Sequence, residues 1–501
     1  SLWENLVQLT DNLDDYSIFH QVINRNQKEN TMDILFVASK LADINSYTSI
    51  IKSSGLNAVI IDVKCFALKS AVDQINQISK KTEDANLTAV LEFGLDENYL
   101  MILYDNNPII TDIFKSQHIY EDFDSTLKLD FKEIADNEFS VIDQKAGISI
   151  AVYTNNKIWR YATGIADTYR MMTVETPILI GSTSKTFMSA LILNQIDGEL
   201  YKSEDSIEFL LSDHPDYLSF DKDKINPKVT IKQLLSMTSG LPDYNENQDG
   251  KNEFFKIPFW EPSNNVLLAQ SNYDEPGTFA YTDTNVVLLG LIAEVYGKKP
   301  LNELYRESFY KPLQISALSL PYDGTPSNTA RPYGNLTPWS SGFGNMIEAA
   351  PFSFEHYMFG QGRIRWACCG IISTPEHLSC WGYELYSTNG SAISSYSREL
   401  LLNSFSEEKV SFAGTKQYYG YLISKRQFSV SKSESITSFG HPGGGGGYST
   451  VLRYSPELDI SIAILANSTL KFQGHCKEYD PKNCIVLSIF KKYAQHLSAG
   501  K

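Results

Sequence analysis

The sequence predicts an α/β (α+β) fold in two parts, a small N-terminal α/β module and a larger domain after it. Two observations predict this fold. The first 140 residues alternate short apolar runs of strand length with an apolar repeat at helical spacing. The region after residue 145 begins and ends with runs of strand composition, and long apolar segments of helix length lie between them. We therefore expect one domain over 1–140, including a linker, and a second over 145–498.

The N-terminal module carries no recognisable chemistry. Residues 1–30 are polar and are expected to be helical, and a further helix is expected over 67–80, where apolar residues repeat at helical spacing. Strands are expected at 34–37, 59–61, 89–93 and 100–104. The acidic stretch 121–136 is expected to be the linker. With no phosphate loop or metal-ligand cluster in its sequence, the module is expected to be structural or to bind a partner, including other copies in a homo-oligomer.

Composition places the chain among ordinary globular proteins. Hydrophobic residues make up 42% of the 501 residues and charged residues 20%, and the net charge is −16. This acidic charge argues against nucleic acid or an anionic membrane as the main partner. No apolar run in the sequence is long enough to span a bilayer. No motif requires a metal or a cofactor, so we expect none.

The six cysteines fit neither a zinc site nor a dense disulfide framework. Cys476 and Cys484 flank a polar loop, and they either form one disulfide, if the protein is exported, or remain two free thiols. Cys368 and Cys369 are adjacent, which suits the packing of small side chains better than a mutual bridge.

The larger domain is expected to begin with a β-hairpin, whose strands 148–153 and 158–161 flank an Asn-Asn turn. A buried helix is expected to begin in the segment 181–186, because the apolar run 187–193 follows it directly. Gly198 is a suitable residue to end that helix.

The rest of this domain is expected to alternate helices, one long loop and strands. In chain order we expect a helix capped by Thr230, a helix over 285–296, a site-shaping loop over 321–366, a helix beginning at the capping-box sequence 373–376, paired strands at 448–454 and 460–465, and a last helix over 484–497. The paired strands and the initial hairpin are expected to share one antiparallel sheet, with the helix that follows residue 181 packed beside it.

Ser182 and Lys185 are the first candidates for chemistry. They are three residues apart, so on a helix both side chains lie on one face. A serine hydroxyl becomes a good nucleophile when a neighbouring group takes its proton, and a lysine can do so if burial lowers its pKa. The positive end of the helix dipole also favours negative charge that develops there. Because Ser-x-x-Lys is common by chance, its significance depends on partners elsewhere in the chain.

Those partners occur in order. Three motifs each stand at a turn that leads into regular structure: Ser182-x-x-Lys185, Pro276-Gly277-x-x-x-Tyr281 and His441-Pro442-Gly443. Three supporting stretches are 234–244, 288–292 and 370–376. On these residues the region 145–498 resembles the serine β-lactamase and penicillin-binding protein superfamily. It is most similar to class C β-lactamases, D-Ala-D-Ala carboxypeptidases, D-aminopeptidases and the related class VIII esterases.

The resemblance implies a β-lactamase/transpeptidase-like domain, in which helices flank an antiparallel sheet and a subdomain is all helical. It implies Ser182 as the acylated nucleophile, Lys185 as its activating base and Tyr281 as a second proton carrier. Whether Lys185 or Tyr281 takes the first proton stays open. His441 matches the first position of the strand that borders the site, and the amides of Ser182 and Gly444 would form the oxyanion hole.

The chain departs from the family pattern at two places. Asp283 stands where the family usually has Asn, and an ionised acid cannot donate the hydrogen bond that an Asn amide gives a substrate. Asp283 would instead pair with Lys185 or attract a substrate ammonium, and we favour the second. Pro442 and the five glycines 443–447 replace a more usual strand, and Gly443 would let a substrate approach closely.

Arg363 and Arg365 are further candidates for substrate binding, because a guanidinium suits a substrate carboxylate. The alternative is that both are solvated or paired, as most arginines are.

The resemblance implies a hydrolase that transfers an acyl group to water through a Ser182 acyl-enzyme. A peptidase specific for D-residues, acting on a short peptide or small molecule, is the first hypothesis. An esterase on small acyl esters and a β-lactamase are alternatives, and a binding or self-assembling protein that keeps the fold is the alternative outside enzymes. No signal peptide is apparent and the chain begins at Ser1 rather than Met. We expect a periplasmic or secreted protein, with the cytoplasm as the alternative.

Overall fold

The structure is a computed structural model of the protein. It describes residues 120–142, 146–247, 249–250, 260–320, 322–333, 354–430, 434–469 and 473–499, and the backbone of five strands before residue 116. The chain divides into two compact units, Ser1–His118 and Ile119–Lys501.

The described part of the first unit consists of antiparallel strands. These are the pair β1 (Tyr16–Asn26) and β2 (Thr31–Lys40), and a sheet of β3 (Leu87–Phe93), β4 (Glu97–Tyr104) and β5 (Asn107–Lys115). Strands predicted at 34–37, 89–93 and 100–104 are confirmed. The helix expected over 1–30 is wrong where β1 lies, because aromatic and β-branched residues there favour a strand over the polar composition. The predictions for 59–61 and 67–80 lie outside the described residues.

The second unit alternates helices and strands over its length. In chain order its elements are β6 (Glu121–Asp122), α1 (Ser125–Phe139), β7 (Gly147–Thr154), β8 (Lys157–Gly164), β9 (Ile178–Leu179), a 3₁₀ turn (Gly181–Ser184), α2 (Lys185–Asp197), α3 (Ile207–Leu211), a 3₁₀ turn (Tyr217–Ser219), α4 (Ile231–Leu235), a 3₁₀ turn (Tyr244–Glu246), α5 (Ser263–Leu267), α6 (Asp283–Gly297), α7 (Leu301–Tyr305), a π-helical turn (Arg306–Tyr310), β10 (Ala317–Ser319), α8 (Phe354–Cys369), β11 (Ile371–Ser373), α9 (Pro375–Tyr386), α10 (Ser395–Asn403), β12 (Val410–Phe412), β13 (Thr415–Tyr419), β14 (Ser424–Ser429), β15 (Ser435–Gly445), β16 (Tyr448–Ser455), β17 (Ile460–Ala466) and α11 (Pro481–Ala499).

A large sheet forms the centre of this unit. Its strand order is β12-β13-β14-β15-β16-β17-β7-β8-β6, and its neighbours are antiparallel except β6 and β8, which are parallel. β17 pairs with β7, with Ile464 opposite Ile150. The predicted hairpin and the two late strands therefore belong to one sheet, as the sequence predicts.

Helices cover both faces of the large sheet. Along β17, Ile460, Ile462 and Ile464 face a core shared with α1 and α11. Ala463 and Leu465 face the other way, into the core of the helical region that contains α2, α6 and α9. Because side chains alternate between faces, this apolar strand needs cover on both sides.

A small sheet of β10, β11 and β9 connects the helical region to the nucleophile segment. β11 pairs with β9, with Ile372 opposite Leu179, and Ile180 N donates a hydrogen bond to Ile371 O over 2.9 Å. β9 leads directly into the turn Gly181–Ser184, and β11 directly follows α8. The end of α8 is therefore held beside that turn.

Two segments predicted to be irregular contain helices, the first over most of its length and the second at its end. The stretch 121–136, expected to be a linker, forms β6 and most of α1, and its Leu127, Phe131 and Ala135 are buried in the core under the large sheet. These three residues repeat at a spacing of four, a helical pattern that the surrounding charges conceal. Residues 354–366 of the expected loop 321–366 belong to α8, where packing by other segments outweighs the Gly and aromatic composition.

Helix boundaries are close to the predicted ones. α2 ends at Asp197 as expected, but the left-handed residue beyond it is Glu199, with φ 57°, rather than Gly198. Thr230 caps α4 through a capping box. α9 begins at Pro375 with Thr374 as its N-cap, while Ser373 belongs to β11, so the predicted capping box is not formed.

Cys476 and Cys484 are joined by a disulfide, the first of the two alternatives that the sequence leaves open. Within the part of the chain that the structure describes, no helix has the length and apolar character needed to cross a membrane.

Candidate active site

Ser182 lies in the 3₁₀ turn that joins β9 to α2. Gly181 has φ 56°, a left-handed conformation that favours glycine, and a Cβ there would lie 2.6 Å from Gly444 N. The Oγ1 atoms of Thr183 and Thr450 are 2.9 Å apart and tie the turn to β16. The nucleophile candidate is therefore fixed where the helical region meets the large sheet.

Lys185 is the first residue of α2 and has no exposed surface. Its Nζ donates to Ser182 Oγ over 3.0 Å and lies 2.6 Å from Asp283 Oδ1. Burial alone would lower the pKa of Lys185, but the negative charge of Asp283 raises that pKa well above its ordinary value, with smaller contributions from Cys369 and Tyr281. Lys185 therefore carries its proton at neutral pH.

Asp283 is the first residue of α6, which Thr282 caps by accepting from Thr284 N. Its other oxygen, Oδ2, accepts a hydrogen bond of 2.9 Å from Asn245 Nδ2. Burial would raise the pKa of Asp283, but the charge of Lys185 lowers it below its ordinary value. The structure thus places Lys185 where we expected a substrate ammonium, because a fully buried lysine needs a counter-ion.

Tyr281 lies just before α6, after the turn at Gly277, whose φ is 128°. Lys185 Nζ lies 5.0 Å from its ring centroid. Among the described residues, its buried hydroxyl has no hydrogen-bond partner. Burial raises the pKa of Tyr281 well above the ordinary value, against the opposing charge of Lys185, so the hydroxyl is neutral. A buried hydroxyl without a partner is suited to bonding a group that a substrate brings.

His441 is buried, and both of its ring nitrogens are engaged. Nδ1 donates to Pro442 O over 2.6 Å, and Nε2 accepts from Tyr419 OH over 3.1 Å. Burial, followed by the charge of Lys185, lowers the pKa of His441 well below its ordinary value. The ring is therefore neutral and packs 6.2 Å from the Tyr281 ring. These contacts hold the ring at the strand that borders the site, so His441, a candidate catalytic residue, is assigned a positioning role.

β15 passes directly beside the nucleophile turn. Pro442 and Gly443 to Gly445, expected to replace a strand, belong to β15 and pair with β16, while Gly446 and Gly447 form the turn between the two strands. β14 covers β15 only as far as Gly440, so the missing N–H of Pro442 falls beyond the paired part of that edge. A Cβ on Gly443 would lie 2.0 Å from Ile180 O. Glycine is therefore needed for the close approach of strand and turn.

The two candidate arginines occupy different surroundings. Arg365 borders the end of β15, since a Cβ on Gly445 would lie 2.5 Å from its Nη1. Arg363 is 8% exposed, and its carbonyl accepts a hydrogen bond of 3.4 Å from Asn265 Nδ2. Only Arg365 is therefore placed next to the strand that borders the site.

Two residues of the site, Cys369 and Asn245, are not predicted from the sequence. Cys369 Sγ lies 3.4 Å from Ser182 Oγ and 3.5 Å from Lys185 Nζ, so the prediction that Cys369 serves packing alone is incomplete. The signal was its position directly before the family-like stretch 370–376. Asn245 directly follows the stretch 234–244, and nothing in its local sequence indicates its contact with Asp283.

Asp283, Cys368 and Cys369 form a cluster with metal-ligand atoms, all within 4.8 Å of one another. The Lys185 ammonium already lies 2.6 Å from the carboxylate and contacts Cys369. Because this ammonium already pairs with the only carboxylate of the cluster, we assign Asp283 to Lys185 instead of a metal.

Comparisons with known proteins are consistent with this geometry. The sequence model of the β-lactamase family matches residues 135–481, and that of the type IV pilus assembly protein PilM matches residues 11–132. Protein flp of Staphylococcus aureus (strain N315) is 27% identical over 178 residues, which is 34% of this chain and 34% of that protein. The unguisins hydrolase ungD' of Aspergillus campestris is 22% identical over 340 residues, 64% of this chain and 58% of that protein. The chain thus spans about a third of the length of the first relatives, 34% in each case.

Solved structures share the fold of the second unit. The D-amino acid amidase of Ochrobactrum anthropi SV3, complexed with D-phenylalanine, has a TM-score of 0.57 at 18% identity, over 74% of this chain and 99% of that one. The D-stereospecific amidohydrolase of Streptomyces sp. has a TM-score of 0.56 at 19% identity, over 74% and 99%. The octameric penicillin-binding protein homologue of Pyrococcus abyssi has a TM-score of 0.53 at 21% identity, over 74% and 77%.

The family match covers more than half of the chain, and it includes the whole cluster around Ser182, Lys185 and Tyr281. The large sheet flanked by helices is the β-lactamase/transpeptidase-like fold that the resemblance implies. On the family match and this fold together, the chain belongs to the β-lactamase family, within the serine β-lactamase and penicillin-binding protein superfamily.

Proposed function

We propose that the protein is a serine hydrolase that forms an acyl-enzyme at Ser182 and cleaves amides or short peptides containing a D-residue. The observation that carries this proposal is the 3.0 Å contact from Lys185 Nζ to Ser182 Oγ at the start of a buried helix. The Tyr281 ring lies beside the same lysine, with 5.0 Å from Lys185 Nζ to its centroid, and its hydroxyl lacks a partner among the described residues. A nucleophile in contact with a lysine and close to a second proton carrier is suited to acyl transfer.

The first half of the reaction forms the acyl-enzyme. Ser182 Oγ attacks the carbonyl carbon while its proton passes to neutral Lys185, and the oxyanion accepts hydrogen bonds from the amides of Ser182 and Gly444. Each such donor lowers the barrier by about 3 kcal/mol. The C–N bond then breaks, and the leaving amine takes a proton from Lys185 or Tyr281. Water hydrolyses the ester by the reverse proton path.

The proposed mechanism has an alkaline preference. Lys185 accepts the serine proton only in its neutral form, and Asp283 holds it in the charged form. Activity should therefore rise with pH over the alkaline range in which Lys185 loses its proton.

The proposed preference for D-residues is supported by two solved structures, and two features of the site suit a substrate with an extended backbone and a carboxylate. The D-amino acid amidase and the D-stereospecific amidohydrolase share the fold of this chain. The edge of β15 from His441 to Gly445, which β14 does not cover, offers backbone groups to an extended substrate. Arg365, beside Gly445, is placed to attract a substrate carboxylate at the same edge.

The proposal is tested with a fluorophosphonate probe, a reporter ester and a set of D- and L-amino acid amides. We expect the probe to attach to Ser182 and Ser182→Ala to lower ester hydrolysis by about a thousandfold or more. Ser212→Ala, which changes an exposed serine at the end of α3, is the control and should hydrolyse the ester as the wild type does.

Each outcome selects one function. Labelling at another serine, or no labelling with full ester hydrolysis, rejects the Ser182 acyl-enzyme. Ester hydrolysis with no amide hydrolysis favours the esterase alternative, and equal rates on D- and L-amides reject the D-residue preference. An absence of labelling and of hydrolysis in a folded protein favours the binding protein.

A further inference from the structure

Three cysteines of the described residues carry free thiols, and they lie in different surroundings: Cys368, Cys369 and Cys380. Cys380 lies on α9, away from Ser182, with its Sγ 3.4 Å from Tyr120 OH. Burial raises the pKa of Cys380 to about 12, so this thiol stays protonated and unreactive. It is a natural control for the other two.

Cys368 is held as a protonated thiol. Its Sγ donates a hydrogen bond to Arg365 O over 2.9 Å and lies 3.7 Å from Tyr244 OH. Burial raises the pKa of Cys368 well above its ordinary value. A thiol that already donates to a carbonyl has no tendency to become a nucleophile.

Cys369 faces hydrogen-bond donors instead. Its Sγ lies 3.5 Å from the Lys185 ammonium and 3.4 Å from Ser182 Oγ. Burial and the charge of Asp283 would raise the pKa of Cys369, but the neighbouring Cys368 thiol and the charge of Lys185 lower it to about 6. Cys369 is therefore a thiolate at neutral pH, the form that reacts with oxidants and electrophiles.

Cys369 has almost no exposed surface of its own and lies directly beside the nucleophile. The Cys369 side chain is buried, but its sulfur contacts Ser182, which is partly exposed. Since the two atoms are 3.4 Å apart, a small neutral molecule that binds against Ser182 Oγ lies next to the sulfur. Hydrogen peroxide is such a molecule, and its lack of charge suits a site that holds Lys185 and Asp283 as an ion pair.

We propose that Cys369 is a peroxide-sensitive modification site, whose oxidation to a sulfenic acid switches off acyl transfer at Ser182. The thiolate attacks one peroxide oxygen, the S–O bond forms, the O–O bond breaks, and the departing hydroxide is protonated to water. Sulfur is oxidised by two electrons and the peroxide is reduced. Only the effect on activity depends on the proposed hydrolase function, while the modification depends on the thiolate alone.

The position of the new oxygen explains the switch. It is added at a sulfur that already contacts both Ser182 Oγ and Lys185 Nζ, so it crowds the space where a carbonyl carbon must approach. It also offers Lys185 an acceptor that competes with the serine. A thiol reductant reverses the change, because one reductant thiol displaces water to give a mixed disulfide and a second one releases Cys369.

In the test, the protein of residues 1–501 is treated with hydrogen peroxide in the presence of a metal chelator. The peroxide is then removed with catalase, and dimedone is added. We expect the dimedone adduct on the peptide that contains Cys369 and not on Cys380. In parallel, we expect the ratio of treated to untreated ester hydrolysis to fall by about tenfold or more and to recover with a thiol reductant.

Variants separate the modification from general damage. The treated-to-untreated ratio should stay near one in Cys369→Ser and in Cys369→Ala, and Cys380→Ser should respond as the wild type does. A missing adduct at Cys369, an equal adduct at Cys380, or equal inactivation of the Cys369 variants overturns the proposal. If the untreated wild type hydrolyses no ester, the proposed function fails, and the adduct alone still decides whether Cys369 is the modification site.

Discussion

The ion pair of Lys185 and Asp283 determines which group can take the serine proton. The two side chains are 2.6 Å apart, and Lys185 is fully buried. In this state the lysine is charged, Tyr281 is neutral, and His441 has both nitrogens engaged. A proton must therefore leave Lys185 before the lysine can act as a base. This requirement makes Asp283 the residue that sets the pH range of the reaction.

We predict that Asp283→Asn moves the acidic side of the pH–activity profile to lower pH. The carboxylate raises the pKa of Lys185, so its removal lowers that pKa and populates the neutral base at lower pH. On this side of the profile, each unit of pKa lost by Lys185 should raise kcat/KM by about tenfold, and the gain should vanish at alkaline pH. The measurement is kcat/KM for a neutral reporter ester across pH.

The matched control is Asp243→Asn. Asp243 also contacts Asn245, with 3.1 Å between Oδ1 and Nδ2, but it forms no ion pair with Lys185, and burial and the charge of Asp283 raise its pKa to about 7. We expect a smaller movement of the profile. An equal loss of activity at every pH in Asp283→Asn would mean that Asp283 positions Lys185 or accepts its proton. A loss confined to substrates with a free amine would restore the hypothesis of a substrate ammonium.

For single residues, the sequence predicts which side chains belong to the site better than it predicts which of them are in contact. The spacing of Ser182 and Lys185 places them on one helical face, and their side chains do meet. The contact of Cys369 with Ser182 joins residues 187 positions apart in the chain. It depends on how β11 pairs with β9, which no local pattern specifies. No local pattern specifies the partner of Asp283 either, because Asp283 pairs with Lys185 as the counter-ion that the buried lysine needs.

Among the elements, β15 has the most demanding position. Its second half, from Phe439 to Gly445, pairs with β16. It passes so close to the nucleophile turn that a Cβ on Gly443 would lie 2.0 Å from Ile180 O and 2.1 Å from Thr450 Oγ1. At the next residue, Gly444, the nearest atom to such a Cβ is Tyr448 O at 3.8 Å. Neighbouring glycines of one strand thus have different steric requirements.

We predict that Gly443→Ala destabilises the protein while Gly444→Ala does not. The methyl group at Gly443 meets backbone and a tied threonine, so strand and turn must separate, at a cost of roughly 2–4 kcal/mol. The methyl group at Gly444 enters ordinary contact. Thermal unfolding of both variants checks the difference. Equal melting temperatures would show that β15 can shift away from Ile180 without loss.

Elements with a strong local signal are the ones that the sequence predicts well. The hairpin of β7 and β8, the helix α6 and the strands β16 and β17 each combine a clear apolar period with turn residues at their ends. α1 and α8 were expected to be irregular because charge or glycine obscures their pattern. Their helical state depends on burial against other segments, a tertiary effect that can override local propensity.

At the scale of the whole molecule, the boundary between the two compact units differs from the boundary that the sequence suggests. The compact units meet at residues 118 and 119, whereas composition suggests a boundary between 140 and 145. The difference is α1, whose Leu127 and Phe131 belong to the core on one face of the large sheet. Phe131 packs edge to face on Trp159 of β8, with ring centroids 5.5 Å apart. α1 is therefore part of the core of the second unit.

We predict that a protein of residues 119–501 folds with the melting temperature of its domain in the full chain and hydrolyses the reporter ester at the same kcat/KM. A protein of residues 141–501 should be much less stable, because it loses Phe123, Leu127 and Phe131 from that core. At roughly 1.5–3 kcal/mol for each buried side chain, the loss of about 5–9 kcal/mol is comparable to the whole stability of a domain. Circular dichroism during heating and ester kinetics of both proteins provide the measurement. Unfolding of 119–501 would show that the first unit is required for folding. Equal stability of the two proteins would instead place the boundary after α1, where composition alone suggests it.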